Sequence, residues 1–354
     1  PKKANFEFFE SKNIDKIELT TPHSVTIPGA LDAWKTIHDE HGKLDFEELF
    51  LNSINYAENG YKVTKKVSEA WEKSFKKLNN HKITKNLYLK HGKVYKNNEL
   101  RKNIPLANTL KLIKKNGIKE FYQGSIAEDM VESLNEIGGL HSIEDFSIQK
   151  TLKSKTISSN FKDMTVHQCP PNGPGVTVLL MLKLLEKLKI NKFNPDSVER
   201  FHLEAEVTKL CYKIREENIA DPNFISIDLE KILSEQNIQE LFNNISLNKC
   251  YKINDLKIPN HPETVYLTVV DKDLNSVSII NSICYSFGSG ITSNKSGILF
   301  HNRGTNFRVE RDHPNCIEGG KRPLHTIIPG LALNNDNKTV LSFGVMGGQY
   351  QPVG

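Results

Sequence analysis

The chain's 354 residues, 38% of them apolar and 25% charged, suffice for one large domain or two ordinary ones and make disorder the wrong default. A formal net charge of +5, spread over many lysines, describes a solvated surface with only a weak pull on polyanions, and no interleaved basic and aromatic motif marks a nucleic-acid binder. The longest apolar run, 176–185, is broken by Lys183 and too short to span a bilayer, while five widely spaced cysteines without a Cys-x-x-Cys pair argue against a disulfide scaffold or a zinc site.

In chain order, Ser24-Val25-Thr26-Ile27-Pro28-Gly29 reads as a short β-like run ending in a Pro-Gly turn. A helix carrying Leu31, Trp34 and Ile37 follows and stops near Gly42. Further helices are predicted over 46–57, closed by Asn59-Gly60, over 106–115, and over 126–137, stopped by Gly138-Gly139. Ser142-Ile143-Glu144-Asp145 has the form of a helix start, with a capping serine and acidic residues at the positive end of the dipole. The loop Pro170-Pro171-Asn172-Gly173-Pro174-Gly175 leads into an apolar helix over 176–188, and another helix spans 202–215 before Asp221-Pro222. From Thr264 onward the pattern changes to strands and turns. A helix-rich first part followed by a strand-rich second part predicts an α+β fold.

The strongest strand signal is Thr264-Val265-Tyr266-Leu267-Thr268-Val269-Val270-Asp271, β-branched and aromatic, read as a buried strand. It pairs as a hairpin with 277–283, Gly288-Ser289-Gly290 turns the chain, and a last strand over 340–345 runs into Gly347-Gly348. A polar linker with two prolines, Pro259-Asn260-His261-Pro262-Glu263, precedes the first strand. Were the bond between Glu263 and Thr264 cut, Thr264 would hold a free α-amine beside its own hydroxyl, a nucleophile with its base attached. Threonine also opens strands merely because it fits a pleated surface, so this stretch alone does not decide.

Further residues do. Ser24-Val25-Thr26-Ile27-Pro28-Gly29-Ala30 with Trp34, Phe121-Tyr122-Gln123-Gly124, Gly138-Gly139-Leu140, the Pro170-Pro171 loop, Glu204-Ala205-Glu206 with Arg215, Asp221-Pro222, Phe287-Gly288-Ser289-Gly290, Lys321-Arg322-Pro323-Leu324 and Gly347-Gly348 follow one another in a specific order. In that order and spacing the chain resembles the gamma-glutamyltransferases (gamma-glutamyltranspeptidases) and their amidohydrolase relatives among the N-terminal-nucleophile hydrolases. The resemblance implies a four-layer αββα sandwich, made as a precursor that cuts itself between Glu263 and Thr264. Residues 1–263 then belong to a large subunit and 264–354 open a small one, together forming one domain. It implies Thr264 as nucleophile, Ser282 as a supporting hydroxyl, and the N–H groups of Gly347 and Gly348 as oxyanion donors. A small-molecule amide and a water or amine acceptor are the implied partners, with no metal or organic cofactor. Relatives begin earlier and continue beyond the Gly-Gly strand, so the chain is expected to be a piece of a longer protein with its sandwich incomplete at both ends. Cytoplasm and periplasm both remain open.

The glutamyl-binding residues of the family are mostly replaced. Phe6 stands for an arginine, Cys284 for an asparagine, Arg303 and Asn306 for a glutamine and an aspartate, and His325-Thr326 for paired serines. A guanidinium gained where an acid is lost reverses the charge preference, favouring an amide that bears a carboxylate over glutathione. In this the chain resembles the oxamate-amidohydrolase branch. Two other readings stand beside it: an inactive relative kept as a binding or structural protein, and, resting only on dispersed lysines, a basic nucleic-acid binder.

Overall fold

The computed structural model describes residues 1–252 and 264–354; Glu263 and the linker before it lie outside the described residues. The described residues divide into two compact units, each built from discontinuous pieces of chain. Unit 1 comprises 1–153, 283–309 and 317–320, and unit 2 comprises 154–282, 310–316 and 321–354. These units do not follow the 263/264 boundary expected from the resemblance. Among the described residues no helix is long and apolar enough to cross a membrane.

Unit 1 is helical. Its main elements are α1 (Ala30–His41), α2 (Leu51–Asn59), α3 (Ile104–Asn116), α4 (Ser125–Asn135) and α5 (Ile143–Ser147). The stripe Ile126, Met130 and Leu134 on α4 recurs every fourth residue and packs into one core with Ile54, Ile113 and Phe146. The predicted stripe on α1 fails: Leu31 is buried, but Trp34 and Ile37 are exposed. Steps of three residues fall about 60° short of a full turn, so these three side chains fan out around the helix. The expected β-like run at 24–29 is also corrected. Pro22–Ser24 is a 3-10 turn, Ser24 Oγ donating to Thr21 O at 2.7 Å, and the residues after it join no sheet. The helix predicted over 46–57 opens as a 3-10 turn, Phe46–Phe50, before α2. At α5 the expected cap forms in full: Ser142 Oγ accepts from Asp145 N, and Asp145 Oδ2 accepts from Ser142 N at 2.9 Å.

Unit 2 is layered. Strands β1 (Ile157–Phe161), β2 (Met164–Gln168), β5 (Gly330–Leu333) and β6 (Thr339–Phe343) form an antiparallel sheet in the order β1-β2-β5-β6. Between them in the chain come α6 (Gly175–Lys187), α7 (Val198–Asn218), α8 (Glu235–Asn243) and the hairpin of β3 (Val265–Val270) and β4 (Ser276–Asn281). Helix α6 is apolar nearly all round because it is covered on two sides. Leu179 meets Val166 and Ala332 of the sheet, while Val176, Leu180 and Leu184 meet Val207, Leu210 and Cys211 of α7.

The hairpin lies on the other face of that sheet. Ser342 pairs across from Leu331, so its side chain points away from Ala332 and α6. It is Ser342 that Thr268 Oγ1 reaches, at 2.6 Å, and Tyr266 stacks its ring where a side chain at Gly344 would sit. The layer order within unit 2 is helix, sheet, hairpin. One expectation is corrected here: β3 is not buried on both faces. Val265, Leu267 and Val269 point away from Ser342 and are more than half exposed.

Candidate active site

Unit 2 brings two of the candidate residues together by register. Val265 pairs with Asn281 at the end of the hairpin, and extending that pairing by one residue sets Thr264 opposite Ser282. Their hydroxyl oxygens lie 3.2 Å apart, and Thr264 is buried although the strand it opens is half exposed. A hydroxyl pair at this distance can pass a proton between its members or hold one of them in a fixed rotamer.

The last strand of the sheet delivers a second element. After β6 the chain reaches Gly347, with φ of 127°, and Gly348, with φ of 53°, before a 3-10 turn over Gly348–Tyr350. A residue with a side chain is strained at either angle, which is why glycine occupies both. Among the described residues neither Gly347 N–H nor Gly348 N–H donates a hydrogen bond, although both residues are buried. Buried N–H groups without a carbonyl are uncommon and suit a negative charge that arrives later. The turn is anchored through Gln349: Tyr212 of α7 donates its hydroxyl proton to Gln349 O, and Arg215 Nη1 donates to Gln349 Oε1 at 2.5 Å. Nothing in the sequence pattern pointed to Gln349. A glutamine directly after a Gly-Gly pair carries no recognisable signal of its own.

His325 and Thr326 lie beside the proline-rich loop. Asn172 Nδ2 donates to Pro323 O at 2.6 Å, and His325 N–H donates to Asn172 O at 2.9 Å, so the two segments clasp each other through one asparagine. Thr326 is buried and His325 half-buried. The stretch is held from below by Asp221, whose carboxylate accepts from Arg322 N at 2.9 Å, Nε at 3.1 Å and Nη2 at 2.6 Å. Burial pushes Asp221 up, but these bonds outweigh it and hold the carboxyl below its usual range.

The remaining predicted residues, Cys284, Arg303 and Asn306, lie in unit 1. Arg303 opens the 3-10 turn Arg303–Asn306, with Asn306 half-buried at its end. Both Arg303 and Cys284 are buried. Burial pushes the Cys284 thiol up, opposed by the Arg303 and Lys77 charges. Burial lowers Arg303 as well, though a guanidinium keeps its proton. Its seat is built by Asn302, which donates to Leu19 O and accepts from Tyr285 N–H, both at 3.2 Å. Gly304 approaches the His23 and Ser24 carbonyls so closely that a Cβ there would clash. His301, absent from the sequence-based candidates, accepts Arg303 N–H at Nδ1 and is pushed down to about 3 by burial and by Arg303. It is therefore neutral at physiological pH and leaves Arg303 and Lys77 as the charges acting on this cluster. Phe6 belongs to the same unit, at the start of a short helix capped by Asn5.

The whole chain, residues 1–354, matches the family model for gamma-glutamyltranspeptidase. The chain belongs to this family. It is 31% identical over 329 residues to the glutathione hydrolase-like YwrD proenzyme of Bacillus subtilis, covering 93% of this chain and 62% of that protein. It is 27% identical over 328 residues to the oxamate amidohydrolase proenzyme of Klebsiella pneumoniae, covering 92% of this chain and 61% of the relative. Among solved structures, cephalosporin acylase from Bacillus halodurans superposes with a TM-score of 0.88 at 28% identity, over all of this chain and 66% of the other. The α+β fold of the N-terminal-nucleophile hydrolases is thus shared, and the chain spans about three-fifths of the length of these curated relatives.

Proposed function

We propose that the protein is a self-processing threonine amidohydrolase or acyltransferase, with Thr264 as nucleophile. The hydroxyl of Thr264 first attacks the carbonyl of Glu263, the peptide C–N bond breaks, and water opens the resulting ester. That leaves an α-amine on Thr264 with an ordinary pKa of about 8, partly neutral at physiological pH. In turnover this amine takes the hydroxyl proton while Oγ1 bonds to the substrate's amide carbon. The oxyanion is met by the N–H groups of Gly347 and Gly348, the C–N bond breaks, and the leaving amine carries off the proton. Water or an amine then resolves the acyl ester. The observation that carries this reading is the buried Thr264–Ser282 hydroxyl pair, set by strand register.

For the substrate we assign a small amide bearing a carboxylate, as oxamate does, in preference to glutathione. A buried guanidinium at 303, beside a His301 that stays neutral, supplies positive charge where the family's usual acid would select an ammonium.

Expression followed by a denaturing gel and N-terminal sequencing tests the processing step. Two chains are expected, the smaller beginning at Thr264, with a single uncut chain for Thr264→Ala. An uncut wild-type chain that turns over amides would overturn the mechanism. Assay on γ-glutamyl-p-nitroanilide beside short carboxylated amides tests the substrate. Efficient γ-glutamyl turnover with none of the carboxylated amides would remove the charge argument and leave the nucleophile untouched.

A further inference from the structure

Three side chains of unit 2 that have no place in the reaction above meet beside α7. His202 and Glu206 lie one turn apart on the same face of the helix, and Cys250 follows the turn closed by the Ser246–Lys249 bridge. A ring nitrogen, a carboxylate oxygen and the thiol sulfur from these residues all lie within 4.8 Å of one another. We propose that His202, Glu206 and Cys250 form a binding site for a divalent transition-metal ion of the zinc type. The sequence offers no hint of it, because Cys250 is distant from the other two along the chain and the five cysteines show no paired spacing.

Each ligand is prepared in a different way. Glu206 is only 1% exposed, and a carboxylate is not buried so deeply without positive or N–H partners. Lys209 supplies an ammonium and Tyr251 N–H donates to Oε2 at 2.6 Å, and each oxygen retains a second lone pair for a metal. His202 Nε2 lies 2.7 Å from Ser246 O. A carbonyl only accepts, so that nitrogen carries the proton and Nδ1 keeps its lone pair. An imidazole bonded to a backbone carbonyl through its other nitrogen is the usual outer-shell arrangement of a ligating histidine. Cys250 is exposed, which gives the ion a way in and leaves room for water at a fourth position.

The donor set selects the metal. One thiolate, one imidazole and one carboxylate suit zinc or cobalt, whereas calcium and magnesium prefer all-oxygen sites. With Glu206 and the thiolate negative and Lys209 positive, the site carries one net negative charge to meet the ion. An occupied site would add a tie between α7 and the segment 246–251. That segment already touches the same helical face through His202, Glu206 and Lys209, whose Nζ donates to Tyr251 O at 3.1 Å.

Chelator-treated protein titrated with Co²⁺ and then Zn²⁺ tests the proposal. One equivalent of Co²⁺ should produce a thiolate-to-cobalt charge-transfer band that Zn²⁺ then bleaches. Cys250→Ser, at an exposed position that leaves folding intact, should abolish the band, and Zn²⁺ should raise the melting temperature of the wild type alone. His202→Ala should weaken Co²⁺ binding about 100-fold or more, beyond the usual loss of an outer-shell partner. A band that survives Cys250→Ser, or no band at one equivalent, overturns the assignment. So does binding unchanged in a folded His202→Ala variant.

Discussion

In unit 1 the candidate substrate-side residues Arg303 and Cys284 lie in the interior, seated by a buried asparagine and a neutral histidine. In unit 2 Thr264 and Ser282 sit at the end of a two-stranded ribbon whose outer face is exposed. The first cluster keeps a charge in the interior despite burial, so the groups that seat it are also part of what keeps the unit folded. The second holds uncharged hydroxyls through strand register, so those candidate groups can be altered while the pairing that positions them survives. Chemistry and stability should therefore separate in unit 2 and travel together in unit 1.

The largest expected effect tests that separation directly. Thr264→Ala should lower amide turnover by at least about 10,000-fold, as loss of an attacking hydroxyl does elsewhere. It should cost only about 1 kcal/mol of stability, the worth of one hydrogen bond. Arg303→Met should lower turnover and melting temperature together. If Thr264→Ala unfolds the protein while Arg303→Met melts like the wild type, the comparison is inverted.

The next effect compares two carboxylates. Asp221 takes three bonds from Arg322, whereas Asp145 takes its bonds from Lys2 N–H, Ser142 N–H and the Ser142 hydroxyl. Asp221→Asn should cost about 3–5 kcal/mol in urea unfolding, because it strands a partly buried guanidinium. Asp145→Asn strands no guanidinium, since its direct bonds come from two backbone N–H groups and a hydroxyl, and should cost about 2 kcal/mol. Equal costs for the two would mean that the Arg322 charge contributes nothing beyond its hydrogen bonds.

These contrasts also show what could be read from the sequence. The hairpin of 266–270 with 277–283 was legible because strand alternation and the turn between them mark it, whereas Ser282 entered only through the family resemblance. The capping box at Ser142 was legible because its chemistry is confined to four neighbouring residues. Strands β1 and β2 were not, since Ile157-Ser158-Ser159-Asn160-Phe161 is too polar to announce a strand and is stabilised by α6 packing over the sheet. The exposed face of β3 was misread as buried because β-branched residues on both faces look alike whether or not anything covers them. Nor could spacing reveal Gln349 bonded by Tyr212 and Arg215 of α7, or Cys250 beside Glu206, for each depends on segments that meet only after folding.

Acidity should divide the units again. Burial pushes His141 of unit 1 down to about 4 and His301 down to about 3, both below the unfolded value near 6.5. Between those limits the unfolded chain binds protons that the folded unit refuses. The stabilisation is therefore complete above pH 6.5 and declines as pH falls, to about 4 for His141 and about 3 for His301. For His141 alone the loss at pH 5 is about 2 kcal/mol. Asp221 in unit 2, held below its usual range, keeps its contribution above the unfolded carboxyl value near 4 and loses it only as pH falls further. Hydrogen exchange followed by mass spectrometry from pH 7 to pH 4.5 should show unit 1 amides losing protection first. Unit 2 opening at the higher pH would show that the buried histidines do not govern acid stability.

The smallest effect concerns the Gly347-Gly348 turn. Gln349→Ala removes the side-chain bond from Arg215 but leaves the Tyr212 hydroxyl on the backbone carbonyl, so the turn stays in place with one restraint fewer. Arg215 keeps Glu216 at 2.5 Å and its stacking on Tyr212, which limits the loss of stability to about 1 kcal/mol. In the proposed mechanism the two glycine N–H groups meet a full negative charge only as the oxyanion forms. Loosening them should therefore lower kcat, by about tenfold or less, and leave KM nearly unchanged. Tyr212→Phe, which frees the backbone carbonyl instead, should act in the same direction. A rise in KM at constant kcat for either variant would assign the turn to binding the ground-state amide and would take the oxyanion away from Gly347 and Gly348.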